Sequence, residues 1–167
     1  RGGVDVAFVQ GEHKKQELAQ LIDFNTPSNN QFLVVNQFTV QGTKQPRRPD
    51  LVAFINGIPI AVIELKNPAD ANTDVWDAFN QLQTYKDEVA DLFDSNVALV
   101  VSDGVTARIG SLTADAERML PWRTVHDEND RPRLSWELET VVRGFFQPEL
   151  LLDYIRHFVL FEQDGDR

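Results

Sequence analysis

The sequence predicts an α/β protein in which a central β-sheet is covered on both sides. Leu51–Ile55 and Ile58–Leu65 are apolar on both faces, as strands in the middle of a covered sheet are. Asn56 and Gly57 between them are a strong hairpin signal. Beyond this hairpin, apolar residues recur at helical spacing, which predicts a helix beginning near Thr73.

The other elements are predicted from the same two periodicities. Short apolar or alternating runs predict strands at 4–10, 18–23, 32–40, 97–102 and 107–112. The helix near Thr73 has its apolar residues at Val75, Ala78, Phe79, Leu82 and Val89. Two amphipathic helices are predicted at 136–143 and 148–158, and a loop at 26–30. Because no repeat or boundary signal interrupts this order, we expect one domain over residues 1–167.

Composition limits the classes of protein that this chain can belong to. The 167 residues contain 42% apolar residues, which suits a globular domain with a proper core. They contain no cysteine, which excludes disulfides, thiolate zinc sites and a Cys nucleophile and is compatible with a cytoplasmic location. No apolar run approaches the roughly 18 residues of a membrane span, so no membrane partner is expected. Since the chain starts at Arg1 without an initiator Met or signal peptide, we expect a fragment of a longer protein.

The charge distribution argues against a chain that holds DNA by itself. The net charge is −10, whereas affinity for duplex DNA comes largely from Lys and Arg. Positive residues are nevertheless concentrated around Asp50, with Lys44, Arg47 and Arg48 before it and Lys66 after the hairpin. For any one of these clusters, the ordinary interpretation is a solvated surface.

Two carboxylates and a lysine lie at the ends of the predicted hairpin strands. Asp50 precedes the first strand, and Glu64 and Lys66 lie at the end of the second. Asp50, Glu64 and the Leu65 carbonyl could supply oxygen ligands to Mg²⁺, and Lys66 could approach an attacking water or a charged phosphate. Glu-X-Lys is also a common exposed ion pair. Here the charges interrupt the end of an apolar strand, where burial without a partner is costly, so this position favours a nuclease site.

This site can assemble only in one hairpin register. With a strict two-residue turn at Asn56 and Gly57, Asp50 would lie opposite Ile63, and Glu64 would point to the other face. A three-residue loop or a bulge near Gly57 shifts the pairing by one residue and places Asp50, Glu64 and Lys66 on one face. The nuclease interpretation therefore predicts one of these two irregularities.

Gln81 and Tyr85 form a second candidate pair, because a spacing of four places them on one helix face. A core tyrosine and a solvated glutamine are the ordinary interpretation. Other chemistries have less support: the three histidines lack metal spacing, no Ser-His-Asp pattern is evident, and no Walker-type phosphate loop occurs.

Several runs, in this order, resemble the N-terminal nuclease domain of type I restriction enzyme R (HsdR) subunits. They are VNQFTV (35–40), RRPD (47–50), VIELKNP (62–68), AFNQLQTY (78–85) and SDG (102–104) with ARIGS (107–111). The resemblance extends from about residue 21 to 162. It implies a restriction-endonuclease-like three-layer sandwich of the PD-(D/E)XK type, a mixed central β-sheet flanked by helices. It also implies that Asp50, Glu64 and Lys66 are the catalytic set, and that Gln81 and Tyr85 are the Gln-X3-Tyr motif shared with RecB-like nucleases.

The resemblance also implies partners. In that family the domain precedes an ATP-driven motor and assembles with methyltransferase and specificity subunits on double-stranded DNA. Family members usually carry a further acidic residue on a helical segment upstream of the first strand. We therefore expect a Mg²⁺-dependent DNA endonuclease domain, with ATP used only by motor domains outside residues 1–167. The alternatives are another nuclease of the same superfamily, such as a RecB-like exonuclease or a junction resolvase, and a degenerate nuclease fold that serves only for docking.

Overall fold

A computed structural model describes residues 3–11, 13–70, 72–127, 129 and 136–160. It contains a five-stranded mixed sheet and a separate two-stranded ribbon. The strands are β1 (Val4–Gln10), β2 (His13–Ala19), β3 (Phe32–Asn36), β4 (Leu51–Ile55), β5 (Ile58–Leu65), β6 (Ala98–Ser102) and β7 (Ala107–Gly110). The helices are α1 (Val75–Glu88), α2 (Glu137–Arg143) and α3 (Pro148–His157), with short 3-10 turns at Pro27–Asn29, Ala90–Phe93 and Ala116–Arg118.

The large sheet has the strand order β3-β4-β5-β6-β7. Strands β5 and β6 are parallel and are connected through α1, whereas the other neighbours are antiparallel. A parallel pair needs such a crossover, and the helix between its strands is then packed on the sheet. The predicted mixed sheet is confirmed, and β5 lies at its centre.

Helices cover both faces of this sheet, as the sandwich prediction requires. On one face, Val62 and Leu99 pack with Leu82 of α1 in a single apolar cluster. On the other face, Ile63 packs with Val141 of α2 and with residues of α3. Alternate residues of β5 thus enter two different cores, which explains why this strand is apolar on both faces.

The helix α1 begins two residues after the predicted start. Asp74 is its N-cap and forms a capping box with Asp77. The Asp74 side chain accepts a hydrogen bond from the Asp77 N–H, and the Asp77 side chain accepts one from the Asp74 N–H. The apolar stripe, including Ala78 and Leu82, is buried against the sheet. The helix ends at Glu88, close to the loop that leads into Asp50.

Three strand predictions need correction. The predicted strand at 18–23 is wrong in position: β2 ends at Ala19, and its polar sequence gave no alternating signal. The ribbon of β1 and β2 is exposed along nearly its whole length, so β1 has its predicted bounds without the predicted half-burial. The strand predicted at 32–40 ends at Asn36, because Gln37 takes a positive φ of 50° and turns the chain away from the sheet.

Other boundaries differ by a residue or two. The last strand ends at Gly110 rather than at 112, and β6 begins at Ala98 rather than at 97. Helices α2 and α3 confirm the two predicted C-terminal helices. Within the described residues, no helix has the length and apolar character needed to cross a membrane.

Candidate active site

The hairpin of β4 and β5 has the register that the site requires. Asn56 and Gly57 have φ angles of 51° and 82° and form a two-residue turn. Next to the turn Ile55 pairs with Ile58, but farther along Ala53 pairs with Ala61, because the register shifts between Ala53 and Phe54. This β-bulge is one of the two irregularities that we predicted, and the three-residue loop is not observed.

The bulge brings Asp50 and Glu64 together on the α1 side of the sheet. The Leu65 N–H donates a hydrogen bond to Asp50 Oδ2 at 2.9 Å. The Asp50 N–H lies 3.5 Å from Glu64 Oε2, at the long limit of a hydrogen bond. Glu64 follows Val62 on the face that packs against α1. The prediction that Asp50 and Glu64 would meet is therefore confirmed.

Lys66 connects these carboxylates to the helix. Its Nζ lies 3.9 Å from Glu64 Oε1 and donates a hydrogen bond to Gln81 Oε1. Gln81 Nε2 in turn donates to the Tyr85 hydroxyl at 2.5 Å. A polar chain thus runs from the end of β5 along α1 through the side chains of Glu64, Lys66, Gln81 and Tyr85. The carboxylate of Asp50 lies beside this chain, on the Leu65 N–H.

Burial makes this group of charges electrostatically unusual. Glu64 is only 2% exposed, and burial followed by repulsion from Asp50 raises its pKa to about 7. Lys66 opposes this rise in the pKa of Glu64 without cancelling it. Burial also raises the pKa of Tyr85, so its hydroxyl stays protonated at neutral pH.

The carboxylate oxygens present fit a hard divalent cation better than a soft one. Among the described residues, no group of three or more His, Cys, Asp or Glu side chains has metal-site geometry. Mg²⁺ needs fewer protein ligands, since it retains waters and shares its shell with phosphate. Burial, followed by repulsion from Asp50, raises the pKa of Glu64, and a cation bound between the two carboxylates would oppose both effects.

Sequence reasoning missed one contact beside the site. Arg47 was assigned to a solvated cluster, yet its guanidinium donates a hydrogen bond to the carboxylate of Glu88 at the end of α1. The two residues are far apart in sequence, and no local periodicity relates them. Only the packing of the loop before Asp50 on α1 brings them together.

Comparison with known proteins identifies the family. The model of the type I restriction enzyme R protein N terminus matches residues 1–118. The chain belongs to this family. The match includes the whole segment from β1 to β7, and therefore every side chain of the polar chain described above.

Members of this family with curated names are similar over nearly the whole chain. The HindI endonuclease subunit of a type I restriction enzyme from Haemophilus influenzae is 48% identical over 99% of the chain. The protein named as the MjaIXP endonuclease subunit of such an enzyme from Methanocaldococcus jannaschii is 34% identical over 96% of it. The chain spans only 16% and 17% of the lengths of these two relatives.

Proposed function

We propose that this chain is the DNA-cleaving part of a type I restriction enzyme R protein and hydrolyses phosphodiester bonds of double-stranded DNA with Mg²⁺. The observation that carries this proposal is the meeting of Asp50, Glu64 and Lys66 at the end of β5. Membership of the R-protein family and the names of the relatives support it. Carboxylates for a cation and a lysine beside them are the groups that phosphodiester hydrolysis needs.

Asp50, Glu64 and the Leu65 carbonyl would hold the cation. The N–H and C=O of one residue point to the same side of an extended strand, and the Leu65 N–H already points to Asp50. The Leu65 carbonyl is therefore expected on the same side. A bound Mg²⁺ would neutralise phosphate charge and make a nearby water more acidic.

The remaining side chains would orient the reacting groups. Lys66 lies beside Glu64 and would donate hydrogen bonds to the attacking water or to the phosphate oxygens. Gln81 accepts a hydrogen bond from Lys66, and Tyr85 holds the amide of Gln81. This arrangement leaves the lysine with fewer orientations, which lowers the entropic cost of reaching the reactive geometry.

The proposed partners rest on the family resemblance, on the names of the relatives and on charge. The relatives are named as endonuclease subunits of type I restriction enzymes, which supports work in a complex with other subunits. From the family resemblance, we propose that these are methyltransferase and specificity subunits in the cytoplasm. A net charge of −10 agrees with other parts of such a complex supplying most of the DNA affinity. ATP would be used by motor domains outside residues 1–167.

The test is Lys66→Ala in the complete restriction enzyme. Cleavage should fall at least about a hundredfold, because a donor to the reacting groups is lost. ATP hydrolysis should stay nearly unchanged. Arg118→Ala, which removes an exposed ion pair with Asp115, is the matched control and should cut normally. Normal cleavage by the Lys66→Ala enzyme would contradict the proposal and favour a fold used only for docking.

A further inference from the structure

The loop between β3 and β4 is unusually long and has internal hydrogen bonds. Antiparallel neighbours are usually joined by roughly two to five residues, whereas residues 37–50 separate these strands. The Gln37 N–H donates to the Asp50 carbonyl at 2.7 Å, and Val40 and Arg47 exchange two backbone hydrogen bonds of 2.8 Å each. The chain thus leaves the sheet as a closed loop and returns at Asp50.

The tip of this loop packs tightly against the C-terminal end of α1. The Thr43 N–H donates to the Glu88 carbonyl at 3.1 Å. A Cβ on Gly42 would lie 2.5 Å from the Gln45 carbonyl and 3.1 Å from the Glu88 carbonyl, so only glycine fits without displacement. The loop is therefore in direct contact with the helix that carries Gln81 and Tyr85.

Arg47 and Glu88 add an ion pair to this contact. Their side chains are only 26% and 16% exposed, and the hydrogen bond from Arg47 lowers the pKa of Glu88. An acidic side chain in the last turn opposes the helix dipole. The stability of α1 alone therefore does not explain why an acidic residue occupies position 88, whereas the contact with Arg47 explains it.

We propose that Arg47 and Glu88 are a positioning pair that holds Asp50 against the end of β5. Arg47 lies three residues before Asp50, and Glu88 lies three residues after Tyr85 on α1. Helix α1 thereby holds Lys66 through the hydrogen bond to Gln81, and it holds the loop before Asp50 through the ion pair between Arg47 and Glu88. The functional part of this inference rests on the proposed nuclease activity, because it assigns Asp50 to the cation.

The hydrogen bond from the Leu65 N–H to Asp50 Oδ2 reports this position directly. Amide hydrogen exchange of the full chain can be measured for Leu65 and, as an internal reference, for Lys66, whose N–H donates to the Ser102 carbonyl. In Glu88→Gln, the exchange rate of Leu65 should rise about tenfold while that of Lys66 stays constant. Arg108→Ala breaks an ion pair with Glu137, a side chain that is more exposed than Glu88. This control variant should leave the exchange rates of both Leu65 and Lys66 unchanged.

The double variant Arg47→Glu with Glu88→Arg restores the ion pair with its charges exchanged and tests whether the pair itself is what protects Leu65. Its arginine would lie at the helix C-terminus, where a cation is favourable, so protection of Leu65 should return. An unchanged Leu65 rate in Glu88→Gln would overturn the proposal. A rise shared equally by Leu65 and Lys66 would also overturn it, because that result reports only lower global stability.

Cleavage in the complete enzyme separates this inference from the proposed function. Glu88→Gln should lower kcat about tenfold with little change in KM for DNA, and the charge swap should restore kcat. If Asp50→Ala cut DNA normally, the proposed nuclease site would fail while the exchange result stood. If Asp50→Ala were inactive but Glu88→Gln fully active, the catalytic part of the positioning role would be wrong.

Discussion

Two buried polar residues, Asn30 and Glu64, lie at opposite ends of the β4–β5 hairpin in very different surroundings. At the turn end, Asn30 accepts hydrogen bonds from the Asp23 N–H and the Asn56 amide, and donates to the carbonyls of Asp23 and Pro27. At the other end, Glu64 lies beside a second carboxylate, and its pKa is raised to about 7. Neutral groups at the turn satisfy one another, whereas burial and the nearby Asp50 carboxylate disfavour the negative charge of Glu64.

This difference separates a structural network from the proposed cation-binding site. A buried amide with all its hydrogen bonds made stabilises one conformation of the turn. A buried carboxylate beside a second, partly buried one lowers stability at neutral pH unless its charge is neutralised. The comparison therefore predicts that substitution of Asn30 lowers stability and leaves cleavage unchanged, whereas substitution of Glu64 raises stability and lowers cleavage.

The largest effect is expected for Glu64→Gln. In the complete enzyme, loss of this carboxylate should lower the cleavage rate about a hundred- to a thousandfold. In the same variant, the cation-free chain should be more stable than the unsubstituted chain at pH 8, because the buried negative charge of Glu64 is removed. Cleavage assays and denaturant unfolding measure the two quantities. A variant that is less stable and still active would reverse the comparison.

The pH dependence of the unfolding free energy should also reveal the buried charge of Glu64. Folded Glu64 binds a proton more tightly than unfolded Glu64, since its pKa is about 7 rather than 4.5. Its contribution to the unfolding free energy should therefore fall as pH rises from about 4.5 to 7, by up to about 3 kcal/mol, and level off above 7. The measurement is the difference between the unsubstituted chain and Glu64→Gln across this range without divalent cations. Added Mg²⁺ should reduce the loss, and a pH-independent difference would contradict the assigned cause.

At the turn end, Asn30→Ala should act on stability alone. The substitution leaves the Asp23 N–H and the Asn56 amide without their acceptor, which should cost about 2–3 kcal/mol of unfolding free energy. Cleavage per folded molecule should be unchanged, because this residue lies at the far end of the hairpin from Asp50. Asn80→Ala on the exposed face of α1 is a suitable control for stability. A selective loss of cleavage in Asn30→Ala would show that the two ends are coupled.

The smallest effects are expected for Tyr85→Phe and Gln81→Ala. Each should lower the cleavage rate about tenfold, because Lys66 loses part of the chain that orients it. Tyr85→Phe keeps the buried ring, so thermal unfolding should change little. If Tyr85→Phe unfolds more easily without a catalytic defect, or changes neither property, the tyrosine serves only the core.

The β4–β5 hairpin could be predicted from the sequence in some detail, whereas strand β2 and the contact between Arg47 and Glu88 could not. The demand that Asp50 and Glu64 share a face predicted a bulge or a longer loop, and the bulge was found. Strand β2 was misplaced because a polar, exposed strand carries no periodic apolar signal. The pairing of Arg47 with Glu88 was missed because a contact between a loop and a distant helix end leaves no local pattern.

The sequence by itself determined the order of most elements, the turn at Asn56 and Gly57, and the set of side chains in the candidate site. Apolar periodicity and turn chemistry are local properties, so they can be read along the chain. Only the tertiary structure decided that Gln81 meets Lys66 and that the loop before Asp50 rests on α1. Those contacts depend on how α1 packs across the sheet, and such packing is set by the shapes of both cores together.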